Sequence, residues 1–272
     1  MIAFDALIAA HIVTGATGLG AMWVPVLSRK GSAAHKLWGR VFVFAMLATG
    51  GIAVGISICS LIAPLETHPW SDDATLIRGV FGWMMMYLGI LTVALTWHSY
   101  VAVRHKTDRG KYATPFSFGV QAAMGAAAIF TALYGFSIGN YLMVGVAVPG
   151  FAAAIINTVY LADRAPIRQE WLVQHYRCGI GAGISVYTAF FAFGAVNAMP
   201  ALAFNPVLWA TPTVLGVGYM IHHQLQTTRQ RVRWGLGHEM RFGRYIVPYL
   251  TDKKTTETRG LADRSEKAHV RN

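Results

Sequence analysis

Long apolar runs alternate with short polar stretches along the chain from residue 2 to residue 225. Each run is long enough to cross roughly 30 Å of hydrocarbon as a helix, because an α-helix rises about 1.5 Å per residue. The pattern therefore predicts an all-α, polytopic bundle of seven transmembrane helices. The predicted spans are residues 2–27, 37–62, 79–103, 116–136, 141–162, 178–199 and 207–225.

The polar stretches carry nearly all of the positive charge. Of the 23 Lys and Arg residues, all but Arg78 lie in the stretches 29–40, 104–111, 164–177 and 229–272. Lys and Arg beside a hydrophobic segment tend to stay on the cytoplasmic face of a membrane. The alternation therefore predicts an N-terminus outside the cell membrane and a C-terminus in the cytoplasm.

Composition supports a membrane protein and excludes several functions. Apolar residues make up 54% of the chain and charged residues 13%, whereas about a quarter of the residues of a soluble protein are charged. No Lys, Arg, Asp or Glu falls in the middle of a predicted span, which argues against an ion-coupled carrier or a proton pump. The first run carries Asp5 and lacks a basic segment before it, so it is not predicted to be a cleaved signal peptide.

Two regions of different composition are predicted. Residues 1–227 form the transmembrane bundle, and residues 228–272 form a basic, partly disordered juxtamembrane tail in the cytoplasm. The tail is predicted to lie on anionic lipid headgroups, with docking of a cytoplasmic partner as the alternative. The net charge of +11 is thus assigned to membrane orientation and to this tail, and not to nucleic-acid binding. The expected partners are the lipid bilayer and another membrane protein or a second copy of the chain.

Glycine and proline within the apolar runs predict where the helices pack and bend. Small residues four apart let two helix backbones approach closely in lipid, where no hydrophobic force drives the helices together. Two such pairs are predicted to be packing sites, Gly51 with Gly55 and Gly179 with Gly183. Pro149 and Pro212 fall within the fifth and seventh spans, where each should kink its helix or free a carbonyl group.

Histidines are the residues of the apolar region that could carry chemistry. His11 is predicted in the outer half of the first span, and His98 near the inner end of the third. His35 and His175 are predicted at the inner entrances of the second and sixth spans, and His222 and His223 at the end of the seventh. Three histidines have a glycine four residues later, which lies on the same helix face and leaves space beside the ring. These pairs are His11 with Gly15, His35 with Gly39, and His175 with Gly179.

Three interpretations of the histidines remain open. In the first, each histidine bonds a carbonyl or hydroxyl group between helices. Alternatively, His35 and His175 ligate one iron as an axial pair, as in b-type haem. His11 would then need a methionine such as Met199 as a partner. The third interpretation is a zinc ion held by three inner histidines and a water molecule, with Glu170 as the general base of a hydrolase.

Two blocks of the sequence resemble a known group of proteins. The first runs from His11 to Met46, HIVTGATGLGAMWVPVLSRKGSAAHKLWGRVFVFAM, and the second from Glu170 to Phe190, EWLVQHYRCGIGAGISVYTAF. Together they resemble uncharacterised bacterial multi-pass membrane proteins that are grouped as a domain of unknown function. Their shared positions correspond here to His11, Lys30, Gly31, His35, Gly39, Arg40 and Met46, and to Trp171, His175, Gly179, Thr188, Ala189 and Phe190.

The resemblance implies a location but no activity. It implies a multi-pass protein of the bacterial inner membrane, and it selects His11, His35 and His175 over His98. The second block departs from the pattern, because Cys178 stands near the position where a methionine is expected.

We therefore expect one of three functions. The first is a redox or cofactor-binding membrane component, with His35, His175, His11 and His98 as candidate cofactor ligands. In that hypothesis His35 and His175 hold the metal, and three aromatic residues, Trp38, Trp171 and Tyr176, shape the site. The second is a non-catalytic scaffold or assembly protein, in which the histidines serve helix packing. The third is a zinc-dependent intramembrane hydrolase. Whether the protein is an enzyme is left open.

Overall fold

The computed structural model of the protein describes residues 2–164, 170–191 and 206–233, and every element in these ranges is helical. The predicted all-α class is therefore confirmed. The helices are α1 (Ile2–Leu27), α2 (Ala33–Ile62), α3 (Pro64–Thr67), α4 (Ala74–Ile77), a π-helix (Arg78–Met84), α5 (Met85–His105), α6 (Arg109–Tyr112), α7 (Pro115–Ser137), α8 (Tyr141–Ala162), α9 (Glu170–Ala189) and α10 (Pro206–Arg233).

Five helical segments are long and apolar enough to cross a membrane. They correspond to the first five predicted spans, and they are Ile2–Leu27, Ala33–Ile62, Ala74–His105, Pro115–Ser137 and Tyr141–Ala162. The sixth and seventh predicted spans coincide with α9 and α10, which are not among these five. Their membrane crossing stays a prediction. Glu170, His175 and Arg177 in the first half of α9 explain its lower hydropathy, as does the polar sequence after His222 in α10.

Local capping sets helix ends that hydropathy alone does not define. The predicted second span begins at residue 37, but α2 begins at Ala33, because the Ser32 side chain accepts a hydrogen bond from the backbone N–H of His35. Gly31 just before this cap has φ +79°, a conformation that strongly favours glycine. The predicted start of the sixth span (178–199) is also too late, because α9 begins at Glu170. The predicted end of that span lies outside the described residues.

The end of α1 is capped by residues that follow it. The Lys30 Nζ donates to the carbonyl oxygens of Pro25 at 2.8 Å and Val26 at 2.6 Å. These carbonyls belong to the last turn of the helix, where no N–H of the same helix is available to them. A cation is also favoured there by the helix dipole. Burial lowers the pKa of Lys30 below its usual value.

The core of the bundle is built around α5. In the most apolar 18 residues of the segment Ala74–His105, which ends with α5, 67% of the residues are buried, compared with 11% in the corresponding stretch of α1. Helix α5 packs against α2, α7 and α9, while α1 packs mainly on α2 and α8 on α7. The central cluster includes Met46 of α2, Met84 and Ala94 of the α5 segment, and Met124 of α7, all fully buried. α5 is thus the element against which the other helices position their side chains.

The closest approach of α2 and α5 uses a glycine that the GxxxG prediction missed. A Cβ added to Gly50 would lie 2.8 Å from the Gly89 carbonyl oxygen, and a Cβ on Gly89 would lie 2.8 Å from the Gly50 carbonyl oxygen. By contrast, a Cβ on Gly51 would meet nothing within 4 Å, and one on Gly55 would only touch Leu7. The predicted role of Gly51 and Gly55 in tight packing is therefore wrong, because the packed face of α2 is one residue away.

The second glycine pair does pack. A Cβ on Gly179 would lie 3.2 Å from the Ser99 Oγ of α5, and one on Gly183 would overlap the Met22 side chain of α1. Helix α9 therefore lies close to two neighbouring helices along one glycine face.

Pro149 lies inside α8, as predicted, where it leaves the Gly145 carbonyl without its usual helical donor, and a tyrosine of α5 bonds the next carbonyl along. Proline has no N–H, so the helix loses a hydrogen bond to a carbonyl one turn earlier. The Tyr87 hydroxyl of α5 donates to the Val146 carbonyl in that turn at 3.1 Å. A Cβ on Gly150 would overlap the same hydroxyl group, so the glycine beside the proline admits the tyrosine.

Residue contacts divide the chain into a unit of residues Met1–Gln224 and a unit of residues Leu225–Asn272. In the second unit the described part is the end of α10, up to Arg233. The predicted tail from residue 234 onward lies outside the described residues.

Candidate functional site

The structure brings His35 and His175 together. His35 lies in the first turn of α2 and His175 in the second turn of α9, and their ring centroids are 6.4 Å apart at an interplanar angle of 73°. These two residues come from helices far apart in the sequence, so the bundle itself creates the pair. It lies near the α1–α2 turn, because the ring of His35 bonds Pro25 close to the end of α1.

Both rings use their Nδ1 atom to contact a backbone carbonyl. His35 Nδ1 lies 3.1 Å from the Pro25 oxygen, and His175 Nδ1 lies 3.1 Å from the Ser99 oxygen. A carbonyl oxygen only accepts, so these contacts assign the proton to Nδ1 and leave a lone pair on Nε2. A histidine that ligates a metal through one nitrogen usually donates from the other to such a carbonyl. The tautomers therefore suit metal ligation through Nε2.

Ser99 holds His175 in a reciprocal contact between α5 and α9. The Ser99 Oγ donates to the His175 backbone carbonyl at 2.8 Å, and the same oxygen lies 3.1 Å from His175 Nδ1. Gly179, one turn later, leaves room for this serine, since an added Cβ would lie 3.2 Å from its Oγ. We call this arrangement of His175, Ser99 and Gly179 the α5–α9 clasp. It fixes the ring of His175 relative to α5.

His11 makes a similar contact elsewhere in the bundle. Its Nδ1 lies 3.1 Å from the Thr49 carbonyl of α2, and a Cβ on Gly15 would lie 3.7 Å from the Thr49 side chain. We call this arrangement the α1–α2 clasp. His11 precedes Pro25 by about 21 Å along α1, so it does not join the pair of His35 and His175. Met199, its suggested partner, lies outside the described residues.

The third His–Gly pair differs from the two clasps. Among the described residues a Cβ on Gly39 would meet nothing within 4 Å, so none of the described helices packs beside it. The space that the sequence predicted next to His35 is therefore open in the structure.

His98 is buried but belongs to a separate cluster. Its ring packs edge-on against Tyr160 of α8 at 5.7 Å, and its side chain is 4% exposed. His98 Nε2 and the nearby Gln174 Oε1 are both buried without a hydrogen bond of good geometry. Tyr160 also stacks on Tyr112 of α6 at 5.1 Å. His98 is thus close in sequence to the α5–α9 clasp but faces α8.

The predicted roles of Trp38, Trp171 and Tyr176 in shaping the site stay predictions. Trp171 lies beneath Lys106, whose Nζ is 5.5 Å from the indole centroid, and Trp38 is exposed on α2. Glu170 interacts electrostatically with Tyr112 and Tyr160, and so lies near the His98 cluster. Burial raises the pKa of Tyr112 above its usual value.

A buried chain of polar side chains joins three helices, and sequence reasoning missed it. Asn157 Nδ2 of α8 donates to Gln121 Oε1 of α7 at 3.0 Å, and Cys178 Sγ of α9 donates to Asn157 Oδ1 at 3.4 Å. The available signal was the pair of amide side chains inside otherwise apolar runs. Cys178 therefore has a structural partner at the position where the family resemblance leads one to expect methionine.

The donor set distinguishes between the two metal hypotheses. In residues 2–164, 170–191 and 206–233, no three His, Cys, Asp or Glu side chains gather as a group that could hold a metal ion. A catalytic zinc site needs three protein ligands, so the described residues do not support that hypothesis. His222 is exposed on α10, and the side chain of His223 lies outside the described residues.

The spacing of the two rings is the observation that bears on a site with two histidine ligands. Two rings on opposite sides of one metal have centroids about 6 Å apart, since each metal–nitrogen bond is about 2 Å and each ring centre lies about 1 Å farther. The observed separation of 6.4 Å is close to this value. The ring separation is therefore compatible with both imidazoles holding one metal ion.

Comparison of this chain with protein-family models, with curated proteins and with solved structures found no match. The resemblance to the uncharacterised bacterial family thus stays a prediction.

Proposed function

We propose that this protein is a redox component of the bacterial inner membrane that holds b-type haem between His35 and His175. The five apolar helices support a multi-pass membrane protein. The finer proposal is a bundle of seven spans with its N-terminus outside and its C-terminus in the cytoplasm. The lipid bilayer is its proposed surrounding, and a second membrane protein or a second copy is its proposed partner.

Two features favour α9 and α10 as the remaining spans. The 20 residues of α9 extend for about 30 Å, and they pack along α5, the most buried helix. Helix α10 begins with an apolar segment and ends in a basic sequence, which suits a crossing that stops in the cytoplasm. With seven crossings the basic stretches fall on one side.

The observation that carries the haem proposal is the pairing of two imidazoles with the same tautomer. His35 and His175 would be the axial ligands, and the Pro25 and Ser99 carbonyls would orient their rings and raise their basicity. A bound haem would supply one-electron transfer at the iron. The open space beside Gly39 lies on the same helix face as His35, where a flat group needs room.

A reduced-minus-oxidised absorption spectrum of the detergent-purified protein tests the proposal. We expect a sharp α-band in the wild-type protein and its loss in both His35→Ala and His175→Ala. His11→Ala is the matched control, because it removes an imidazole that also bonds a carbonyl, while the ring contact between two histidines in the described residues is that of His35 with His175. A folded, colourless wild-type protein, or equal loss of the band in all three variants, would contradict the haem site.

A non-catalytic scaffold is the second candidate, and the two clasps favour it. In both clasps a histidine and a glycine one turn apart contact the same residue of a neighbouring helix, Thr49 or Ser99. Helix packing therefore accounts for His11 entirely and for part of the role of His175. It does not account for the position of His35 beside His175.

A further inference from the structure

The turn between α1 and α2 brings a lysine back onto the end of α1. Residues 28–32 connect the two helices, and Gly31 in this turn adopts the left-handed conformation. The chain reverses there, so the Lys30 Nζ reaches the carbonyl oxygens of Pro25 and Val26 at 2.8 and 2.6 Å. Two hydrogen bonds therefore fix the position of an ammonium group whose residue is exposed.

One of these two carbonyl oxygens also serves His35. The His35 Nδ1 lies 3.1 Å from the same Pro25 oxygen that accepts from Lys30. A carbonyl oxygen has two lone pairs, so it can accept from both groups at once. Since Nζ lies 2.8 Å and Nδ1 lies 3.1 Å from one oxygen, the two nitrogen atoms are at most about 6 Å apart. The ammonium group is thus a close neighbour of one ring of the histidine pair.

The shared carbonyl distinguishes His35 from His175. The Nδ1 of His175 faces the carbonyl and hydroxyl oxygens of Ser99, each at 3.1 Å, and both of these groups are uncharged. At His35 an ammonium group already draws electron density from the acceptor, through a hydrogen bond about twice as strong as a neutral one. The Pro25 oxygen is therefore the weaker acceptor for an imidazole N–H. The basicity of Nε2 should consequently be lower in His35 than in His175.

The positive charge of Lys30 acts in the same direction as the weaker acceptor. A cation near a ligand disfavours the more positively charged state of a metal at that ligand, and the effect is strong where water is scarce. A less basic imidazole also stabilises ferric iron less than ferrous iron, because ferric iron depends more on electron donation from its ligands. Both effects therefore favour the reduced state.

We propose that Lys30 is a positioning residue that raises the reduction potential of the site formed by His35 and His175. This inference rests on the proposed function. Lys30 acts through the Pro25 carbonyl and the ring of His35, and it does not ligate the metal. The site is thereby asymmetric, with His35 as the weaker electron donor and His175 as the stronger one.

A redox titration of the α-band of the full chain in detergent tests this proposal. Lys30→Gln removes the charge but keeps a hydrogen-bond donor, and we expect its midpoint potential to fall, by the equivalent of a roughly tenfold change in the ratio of ferric to ferrous iron. Lys30→Arg retains the charge and should keep the wild-type potential. Lys36→Gln is the matched control, because it removes the same charge from an exposed lysine next to His35 in the sequence, and it should lower the potential less.

Nuclear magnetic resonance of the ¹⁵N-histidine-labelled protein without haem gives an independent readout. In Lys30→Gln the Nδ1 proton of His35 should move downfield, because its hydrogen bond to the carbonyl strengthens, while that of His175 should stay in place.

Three results would overturn the role of Lys30. They are an unmoved His35 proton, a wild-type potential in a coloured Lys30→Gln protein, and an equal fall of the potential in Lys36→Gln. A lysine that only caps α1 gives the first two of these results together with a loss of thermal stability. A colourless wild-type protein overturns the haem site itself, and the role of Lys30 with it, so the two failures are distinguishable.

Discussion

The α1–α2 clasp and the α5–α9 clasp use the same residue pattern with different consequences. In each, a histidine Nδ1 lies 3.1 Å from a carbonyl of the neighbouring helix, and the glycine one turn later contacts the same residue. The α1–α2 clasp stands by itself. The α5–α9 clasp has a second imidazole, His35, at 6.4 Å.

The hydroxyl groups of the two clasps also differ. Thr49 Oγ1 bonds Ala45 of its own helix at 2.8 Å, so its side chain adds no polar contact between the helices. Ser99 Oγ crosses to the His175 carbonyl at 2.8 Å. The α5–α9 clasp is therefore tighter and fixes its imidazole through more bonds. The comparison teaches that a His–Gly pair alone indicates helix packing, and that a metal site requires a second histidine.

The largest expected difference between the clasps concerns their glycines. Gly179→Ala places a Cβ 3.2 Å from Ser99 Oγ and should destabilise the protein by about 1 kcal/mol, because the serine must move. Gly15→Ala meets Thr49 at an ordinary 3.7 Å and should be neutral or stabilising by up to about 1 kcal/mol, because alanine favours the helix. Unfolding in mixed micelles, followed by circular dichroism, measures both. A greater loss of stability for Gly15→Ala would contradict the ranking.

The hydroxyl groups provide a smaller test. Ser99→Ala removes the bond to the His175 carbonyl and should lower the free energy of unfolding by about 1 kcal/mol. Thr49→Val loses a bond within its own helix and keeps the methyl group that touches Gly15, so we expect less than about 0.5 kcal/mol. The same unfolding assay compares them. Equal losses would mean that the two clasps do not differ as described.

The smallest effect concerns His68, a histidine held by aromatic rings instead of a clasp. It lies between α3 and α4, with Phe81 at 4.2 Å and Trp70 at 5.8 Å between ring centroids. Burial lowers the pKa of His68, so the unfolded chain binds a proton more readily than the folded one. Its contribution to stability should therefore decrease as the pH falls from about 7 to about 5, through the range where an imidazole titrates.

His68→Phe removes this titration while retaining a ring. The thermal midpoint of the variant should therefore depend less on pH over that range than the midpoint of the wild type. An identical pH dependence of the two proteins would show that the ring of His68 is as easily protonated in the folded state as in the unfolded chain.

Hydropathy and charge predicted the helical class and the first five spans, because these depend on composition over about twenty residues. The inner positions predicted for His35 and His175 led to the expectation that they converge, and the structure places them together. The hydrophobic pattern did not specify which face of each helix packs against its neighbours. Gly50 packs where Gly51 was predicted, because one residue rotates the helix by about 100°.

The sequence did not predict the hydrogen-bond partners of the buried polar side chains, for a similar reason. The chain of Gln121, Asn157 and Cys178 depends on how α7, α8 and α9 are rotated relative to one another, which hydropathy does not specify. Trp171 was predicted to shape the site of the histidines, and the structure adds a contact that the pattern did not predict, its indole beneath Lys106. Each of these contacts is set by packing between helices, and no local signal encodes it.

The tyrosine that reaches the Pro149 turn has a consequence for how this protein can evolve. The hydroxyl of Tyr87 bonds the Val146 carbonyl beside the proline turn, and Gly150 must remain small to receive it. A Cβ at position 150 would overlap that hydroxyl, so a relative with a larger residue in place of Gly150 should carry a side chain smaller than tyrosine at position 87. Positions 87 and 150 should therefore change in concert across related sequences, with the tyrosine rarely kept where the glycine is lost.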